Sequence, residues 1–124
     1  MVTVFNVREL SYPCVLRRRG LDASKKLVKR ISTAKDVEVD LHNVEIISLS
    51  FLDELIFRTY LSGKLESVVF RVHDRSIEEK LERISAIRAL NIKYRFNDND
   101  IRKAALRGVV KHMPSFAESK SVSA

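Results

Sequence analysis

The sequence predicts a single layered α/β domain with a mixed sheet of about four to five strands and about four helices. Three observations carry this. Period-two apolar runs alternate with period-3.6 stretches along the whole chain. Glycine occurs three times and proline twice, too few for a turn-rich all-β chain. The length, 124 residues with 45% hydrophobic and 31% charged residues, suits one domain with one core. Strand–helix alternation implies a largely parallel or mixed sheet with right-handed crossovers.

Val2–Val7 reads as a strand apolar on both faces, and Pro13–Leu16 as a short second strand. Leu21–Ser32 reads as a helix, with Asp22 near its start and Leu27, Val28 and Ile31 as its apolar stripe. Asp36–Leu41 alternates Val37, Val39 and Leu41 with Glu38 and Asp40, a strand. A loop, His42–Leu49, leads into a helix over Ser50–Leu61, with Gly63 as its stop. Ser67–Val72 is nearly continuously apolar, the mark of a central strand covered on both faces. Ser76–Leu90 opens with Ser76 and Glu79 at capping-box spacing. Ile92–Phe96 reads as a half-buried edge strand. Asn99–His112 reads as a last helix ended by Pro114, which bounds a domain at residues 1–112 and leaves 113–124 as a disordered polar tail.

Several function classes recede on chemistry. The single cysteine, Cys14, cannot form an internal disulfide or a cysteine-based zinc cluster, and reads as a small buried hydrophobe. His42, His73 and His112 lack metal-ligand spacing. His42 and His73 follow predicted strands, near Asp40 and Asp74, where acid–base work would need a geometry the sequence does not give. There is no glycine-rich phosphate loop and no nucleophile elbow. The expectation is therefore a chain that is not an enzyme and holds no cofactor or metal. No apolar run approaches the roughly 20 residues that span a bilayer, and no signal peptide is visible, so membrane insertion is not expected and a cytoplasmic location is.

The net charge is +7 and the pI near 9.8, a balance that favours acidic partners. Residues 17–30 hold Arg17, Arg18, Arg19, Lys25, Lys26, Lys29 and Arg30 against one acid, Asp22, a local charge of +6. Lys103, Arg107 and Lys111 recur every four residues on the predicted last helix. These groups are candidate anion-binding residues for a nucleic acid, set against the simpler reading of a solvated face. No aromatic residue interleaves the first cluster, so base stacking is not suggested. The outer apolar residues Leu106 and Val110 of the last predicted helix would suit a homodimer.

Ser50 sits where a loop enters a helix. It reads either as an N-cap with Asp53 three residues on, or as an anion or phosphate position facing Asp53 and Glu54. The helix that follows is apolar on two sides. Leu52, Leu55, Ile56 and Thr59 make one stripe; Phe57 and Leu61 lie nearly opposite, with Tyr60 between. Such a helix is sandwiched in the core or reserves one side for a partner.

Three segments carry a family resemblance between Arg19 and Tyr60: Gly20-Leu21-Asp22-Ala23-Ser24-Lys25-Lys26, Val39-Asp40-Leu41-His42-Asn43-Val44, and Ser48-Leu49-Ser50-Phe51-Leu52-Asp53-Glu54-Leu55. Together they resemble the STAS-like domains of unknown function, relatives of the STAS domains of sulfate transporters and anti-sigma-factor antagonists. In the antagonists an Asp-Ser-Ser-Gly segment is phosphorylated on its second serine. That serine falls on Ser50 here, while Ser48, Leu49 and Phe51 replace its three neighbours. The resemblance implies a non-enzymatic regulatory module that binds a protein through the loop and helix around Ser50–Leu61, with Ser48, Asp53, Glu54, Phe57 and Leu61 as candidate contacts. It implies a histidine-kinase-like ATPase or another signalling protein as partner. The alternative is a basic nucleic-acid-associated protein that uses Arg17–Arg30 and Lys103–Lys111.

Overall fold

A computed structural model describes residues 2–33, 35–42, 46–97 and 99–104. Its elements are β1 (Val2–Asn6), α1 (Arg17–Ile31), β2 (Asp36–Asp40), α2 (Leu49–Leu61), β3 (Val68–Val72), α3 (Arg75–Arg88), β4 (Lys93–Phe96) and β5 (Ile101–Lys103), with short 3-10 turns at Val7–Glu9 and Leu65–Ser67. The five strands form one mixed sheet in the order β1-β2-β3-β4-β5. The first four are parallel and β5 returns antiparallel. The α/β class and strand number expected from the sequence hold. Three α-helices are present among the described residues, against about four expected.

Because parallel neighbours are consecutive in the chain, crossovers of one hand carry every helix to the same face of the sheet. The side chains show it. Val37, Val39, Val68, Phe70, Val72 and Tyr94 point to the helices and are buried. The alternate residues Val69, Arg71 and Arg95 are half-buried. Among the described residues, β3 is therefore covered by helices on one face, where its apolar run implied both. The same geometry exposes Val4 of β1, 54% accessible, where an apolar pair of faces was expected.

Other differences from the expected elements have local causes. Pro13–Leu16 contributes one parallel bridge, Cys14 to Ile47, in place of a strand. Helix α1 begins four residues early, so Arg17, Arg18 and Arg19 form its first turn. Gly20 lies inside that helix, on the face shared with Ala23, Ser24, Leu27 and Ile31. Helix α3 is capped by Asp74, whose carboxylate accepts the Ile77 amide at 3.0 Å and the Ser76 hydroxyl at 2.7 Å; Ser76 is not the cap. Gly63 does stop α2, with φ +78° in the left-handed region that favours glycine.

The last expected helix is not formed where it was predicted to start. Asn97, at φ 53°, begins a turn, and Ile101–Lys103 then pairs with β4. Strand β4 is thus an inner strand rather than an edge. Asn97-Asp98-Asn99-Asp100 is a run of turn formers between two short extended segments, and it specifies a hairpin. The rest of the predicted helix, the Leu106 and Val110 face and the expected tail over 113–124 lie outside the described residues.

Candidate functional site

Helix α2 starts at Leu49 because Ser48, not Ser50, is its N-cap. The Ser48 hydroxyl accepts the Phe51 amide at 3.0 Å and donates to the Val15 carbonyl, and the Ser48 amide donates to the Cys14 carbonyl at 2.9 Å. One serine thereby ends the β2–α2 loop and ties it to the segment before α1. Ser48→Ala should cost about 0.5–2 kcal/mol, the usual loss of a cap. Ser50→Ala should stay within about 0.5 kcal/mol, as for other half-exposed positions. Chemical denaturation of both variants checks the assignment; equal losses would contradict it.

Ser50 is left half-buried in the first turn, on the side facing α3. It opens on a groove of about 390 Å³ between the two helices, which Arg17, Asp53, Phe57, Ile87 and Arg88 also line. Asp53 anchors this groove. Its carboxylate accepts two bonds from the Arg88 guanidinium, both at 2.9 Å, and one from Arg17 at 2.8 Å. The same Arg88 guanidinium lies 3.8 Å over the Phe57 ring. Glu54, 7% accessible, sits beside it and accepts Arg58 at 2.6 Å and Arg17 at 3.2 Å. Ion pairing and aromatic stacking together fix Arg88 across α2.

These pairs set the acid–base behaviour of the site. The Arg88 hydrogen bonds, helped by Arg17, hold Asp53 below its ordinary 3.8; Arg58, helped by Arg17, holds Glu54 below its ordinary 4.5. A carboxyl depressed by folding stabilises the fold in full above its unfolded pKa and loses that contribution as pH falls through the folded value. The melting temperature should therefore hold from pH 7 to about pH 5 and fall below about pH 4.5. Asp53→Asn should lower it at pH 7 and flatten the acid limb. A thermal scan from pH 7 to 2 checks this; an unchanged acid limb in the variant would contradict it.

The structure brings Ser50, Asp53 and Phe57 into one groove, with Ser48 as the cap behind them. Glu54 is turned into its ion pairs, and Leu61, 56% accessible, projects past the end of the groove beside Tyr60, 48% accessible. Sequence reasoning missed three of the site's groups. Arg17 was assigned to the anion-binding face but belongs to Asp53 and Glu54. Ile87, 71% accessible, and Arg88 come from α3. Ile84, Ile87 and Arg88 share one helix face by their spacing, which was the available signal.

The other expected residues lie elsewhere. Arg18, Lys25, Lys26, Lys29 and Arg30 are exposed on α1, and Arg19 is half-buried. Arg30 stacks 4.4 Å over the Phe5 ring. Lys103 is exposed on β5, not on a helix, so the expected four-residue stripe does not begin there; Arg107 and Lys111 lie outside the described residues. His42 and His73 do come together, ring centroids 4.3 Å apart. His73 contacts Asp40 at 2.9 Å through Nε2 and Asn97 at 3.1 Å through Nδ1, so both its ring nitrogens are engaged. Asp74 is occupied capping α3. Cys14 is fully buried and its thiol is pushed up to about 11 by that burial, which keeps it protonated and inert. Among the described residues no helix is long and apolar enough to cross a membrane.

Among the described residues, four parallel strands in chain order, helices on one face, and a helix entered from the end of the second strand define a layered α/β domain. Residues 23–82, from α1 into α3, match the family described as the STAS-like domain of unknown function (DUF4325). Searches of curated proteins and of solved structures give no match.

Proposed function

We propose that this protein is a non-enzymatic regulatory module that binds another protein through the α2–α3 groove around Ser50 and the adjoining apolar surface. The observation that carries the reading is the chemistry of that groove. Arg17, Asp53 and Arg88 form a fixed polar bar across it. The groove is apolar at Leu49, Phe57 and Ile84, Ile87 stands exposed on its rim, and Tyr60 and Leu61 are exposed farther along α2. Rigid charged groups within an apolar surround resemble the buried anchors of protein interfaces. The kinship with STAS domains points to a histidine-kinase-like ATPase or another signalling protein as the partner, in the cytoplasm. The engaged nitrogens of His73 and the protonated Cys14 thiol support a module without a reaction of its own.

Leu61→Ser and Ile87→Ser together should leave the melting temperature within a few degrees, because both side chains are largely in water already. The same pair should weaken partner binding at least tenfold, as loss of about 1.4 kcal/mol or more from an interface does. Native co-purification, followed by titration of the one protein recovered in stoichiometric amount, measures it. Unchanged affinity, or a large fall in melting temperature, would contradict the proposed surface.

A further inference from the structure

The outward arc of α1 is a second charged surface, on the side away from the groove. At 100° per residue, Arg18, Lys25 and Lys29 fall in one row and Lys26 and Arg30 in a second row beside it. All five are exposed, and Asp22 is the acid that shares their arc. The opposite arc is spent on packing, through Gly20, Ala23, Ser24, Leu27 and Ile31. Arg17, turned toward α2, is neutralised by Asp53 and Glu54. Arg18, Lys25, Lys26 and Lys29, by contrast, form no ion pair with another described residue. Beyond the C-terminal end of α1 lies a polar groove of about 320 Å³ lined by Ile31, Ser32, Thr33, Lys35, Lys64 and Ser67.

We infer that this charged arc of α1 binds the phosphate backbone of a nucleic-acid duplex, without reading its sequence. A 15-residue helix is about 22 Å long, and a duplex presents one charge per roughly 1.7 Å of axis, so α1 faces on the order of a dozen phosphate charges. Other anionic partners fit less well. None of α1's exposed residues is apolar, so the helix has nothing to insert into a membrane surface. Protein interfaces are depleted in lysine and anchored by aromatic residues, and this arc is the reverse. A single strand would need aromatic platforms for its bases, and the arc has none.

The test uses the full chain and duplexes of about 20 base pairs, one DNA and one RNA of the same sequence, titrated from about 50 to 300 mM salt. Binding should weaken linearly in log–log form. Replacing Arg18, Lys25, Lys26 and Lys29 together by Gln should flatten the slope by about 3–4 and weaken low-salt binding at least tenfold. The melting temperature should hold, since glutamine is as good a helix former and all four positions are exposed. Equal binding of the two duplexes supports recognition of the shared phosphate backbone, and preference for one supports that polymer as the ligand. Absence of duplex binding at low salt, a slope the substitutions leave unchanged, or tighter binding of phosphatidylserine vesicles or polyglutamate would overturn the inference.

Discussion

Replacing Gly20 by alanine should destabilise the domain by about 1–3 kcal/mol, although alanine is the better helix former by about 1 kcal/mol. A Cβ at this position would lie 2.4 Å from the Phe51 carbonyl oxygen, 3.0 Å from Glu54 Cβ and 3.2 Å from the Leu55 amide nitrogen. The first and third of these atoms are backbone of α2, and no rotamer change can move them aside. The two helices would have to separate at this point, which pulls Ser48 from its bonds to Cys14 and Val15 and α2 from Arg17. Gly20→Val should cost more, and should fall into the range at which a domain of this size loses a large share of its stability. Thermal and denaturant unfolding of the two variants gives the numbers. An alanine variant as stable as the parent would mean that α1 and α2 are not packed backbone to backbone at this point. Because the α2–α3 groove is built on α2, loss of partner binding in the same variant would follow from the displacement and would say nothing about Gly20 as a contact.

The close approach at Gly20 was legible in part. Its face is marked by Gly20, Ala23, Ser24, Leu27 and Ile31 at spacings of three and four, which is helical. What hid it was the cluster Arg17-Arg18-Arg19, which reads as a charged lead-in because an amphipathic stripe of small residues gives little hydropathy signal. The strands β2 and β3 were readable to within a residue, since alternating or continuous valines have few other uses. That α1, α2 and α3 all lie on one face of β3 was not readable, because Val69 is as apolar as its inward neighbours; their placement comes from chain-order topology, not from composition. The site divides in the same way. Ser50, Asp53 and Phe57 lie on one element and were found together. Arg17 and Arg88 reach Asp53 across sequence separations of 36 and 35 residues, and no local pattern reports such a meeting. The serine cap was misplaced by two residues because Ser48 and Ser50 both satisfy the cap pattern. The choice was made by Val15 and Cys14, which bond Ser48 from outside the helix.

The two charged surfaces differ in how their charge is held, and this separates their expected behaviour with salt. In the groove each carboxylate is matched by arginines at 2.6–3.2 Å, so the net field there is small and the groups act as fixed geometry. On the outer arc of α1, Arg18, Lys25, Lys26 and Lys29 are exposed and form no ion pair with another described residue, so their effect is a field that salt screens. Partner binding at the groove should change modestly between low and moderate salt, while binding along α1 should collapse.

Glu78→Ala should be among the most damaging single substitutions in the molecule, at about 2–4 kcal/mol. Glu78 is on the first turn of α3, its side chain 3% accessible, directed at the sheet rather than at water. Its carboxylate accepts the Tyr94 hydroxyl at 2.6 Å and Arg102 at 3.2 Å, with Arg75 at 3.6 Å. Tyr94 is fully buried in β4, so removing the carboxylate takes away the acceptor its hydroxyl holds at 2.6 Å, at a cost of about 1–3 kcal/mol. Loss of the charge-assisted bond itself adds to this. The arginines matter less, since both are exposed enough to turn to solvent. Tyr94→Phe should cost less, about 1–2 kcal/mol, because Glu78 keeps its cations and no polar group is orphaned on the tyrosine side. Arg102→Gln should cost least in global stability and most in local order. Arg102 is the residue through which the three-residue β5 is tied to α3, so amide exchange at Arg102 and Lys103 should quicken in that variant while the core amides of β3 stay protected. Denaturant unfolding of the three variants, with hydrogen exchange on the last, separates the buried hydroxyl from the strand tether. A Glu78→Ala protein within 1 kcal/mol of the parent would show that Tyr94 finds another acceptor. Unchanged exchange at Lys103 in Arg102→Gln would show that backbone pairing with β4 holds β5 without help from α3.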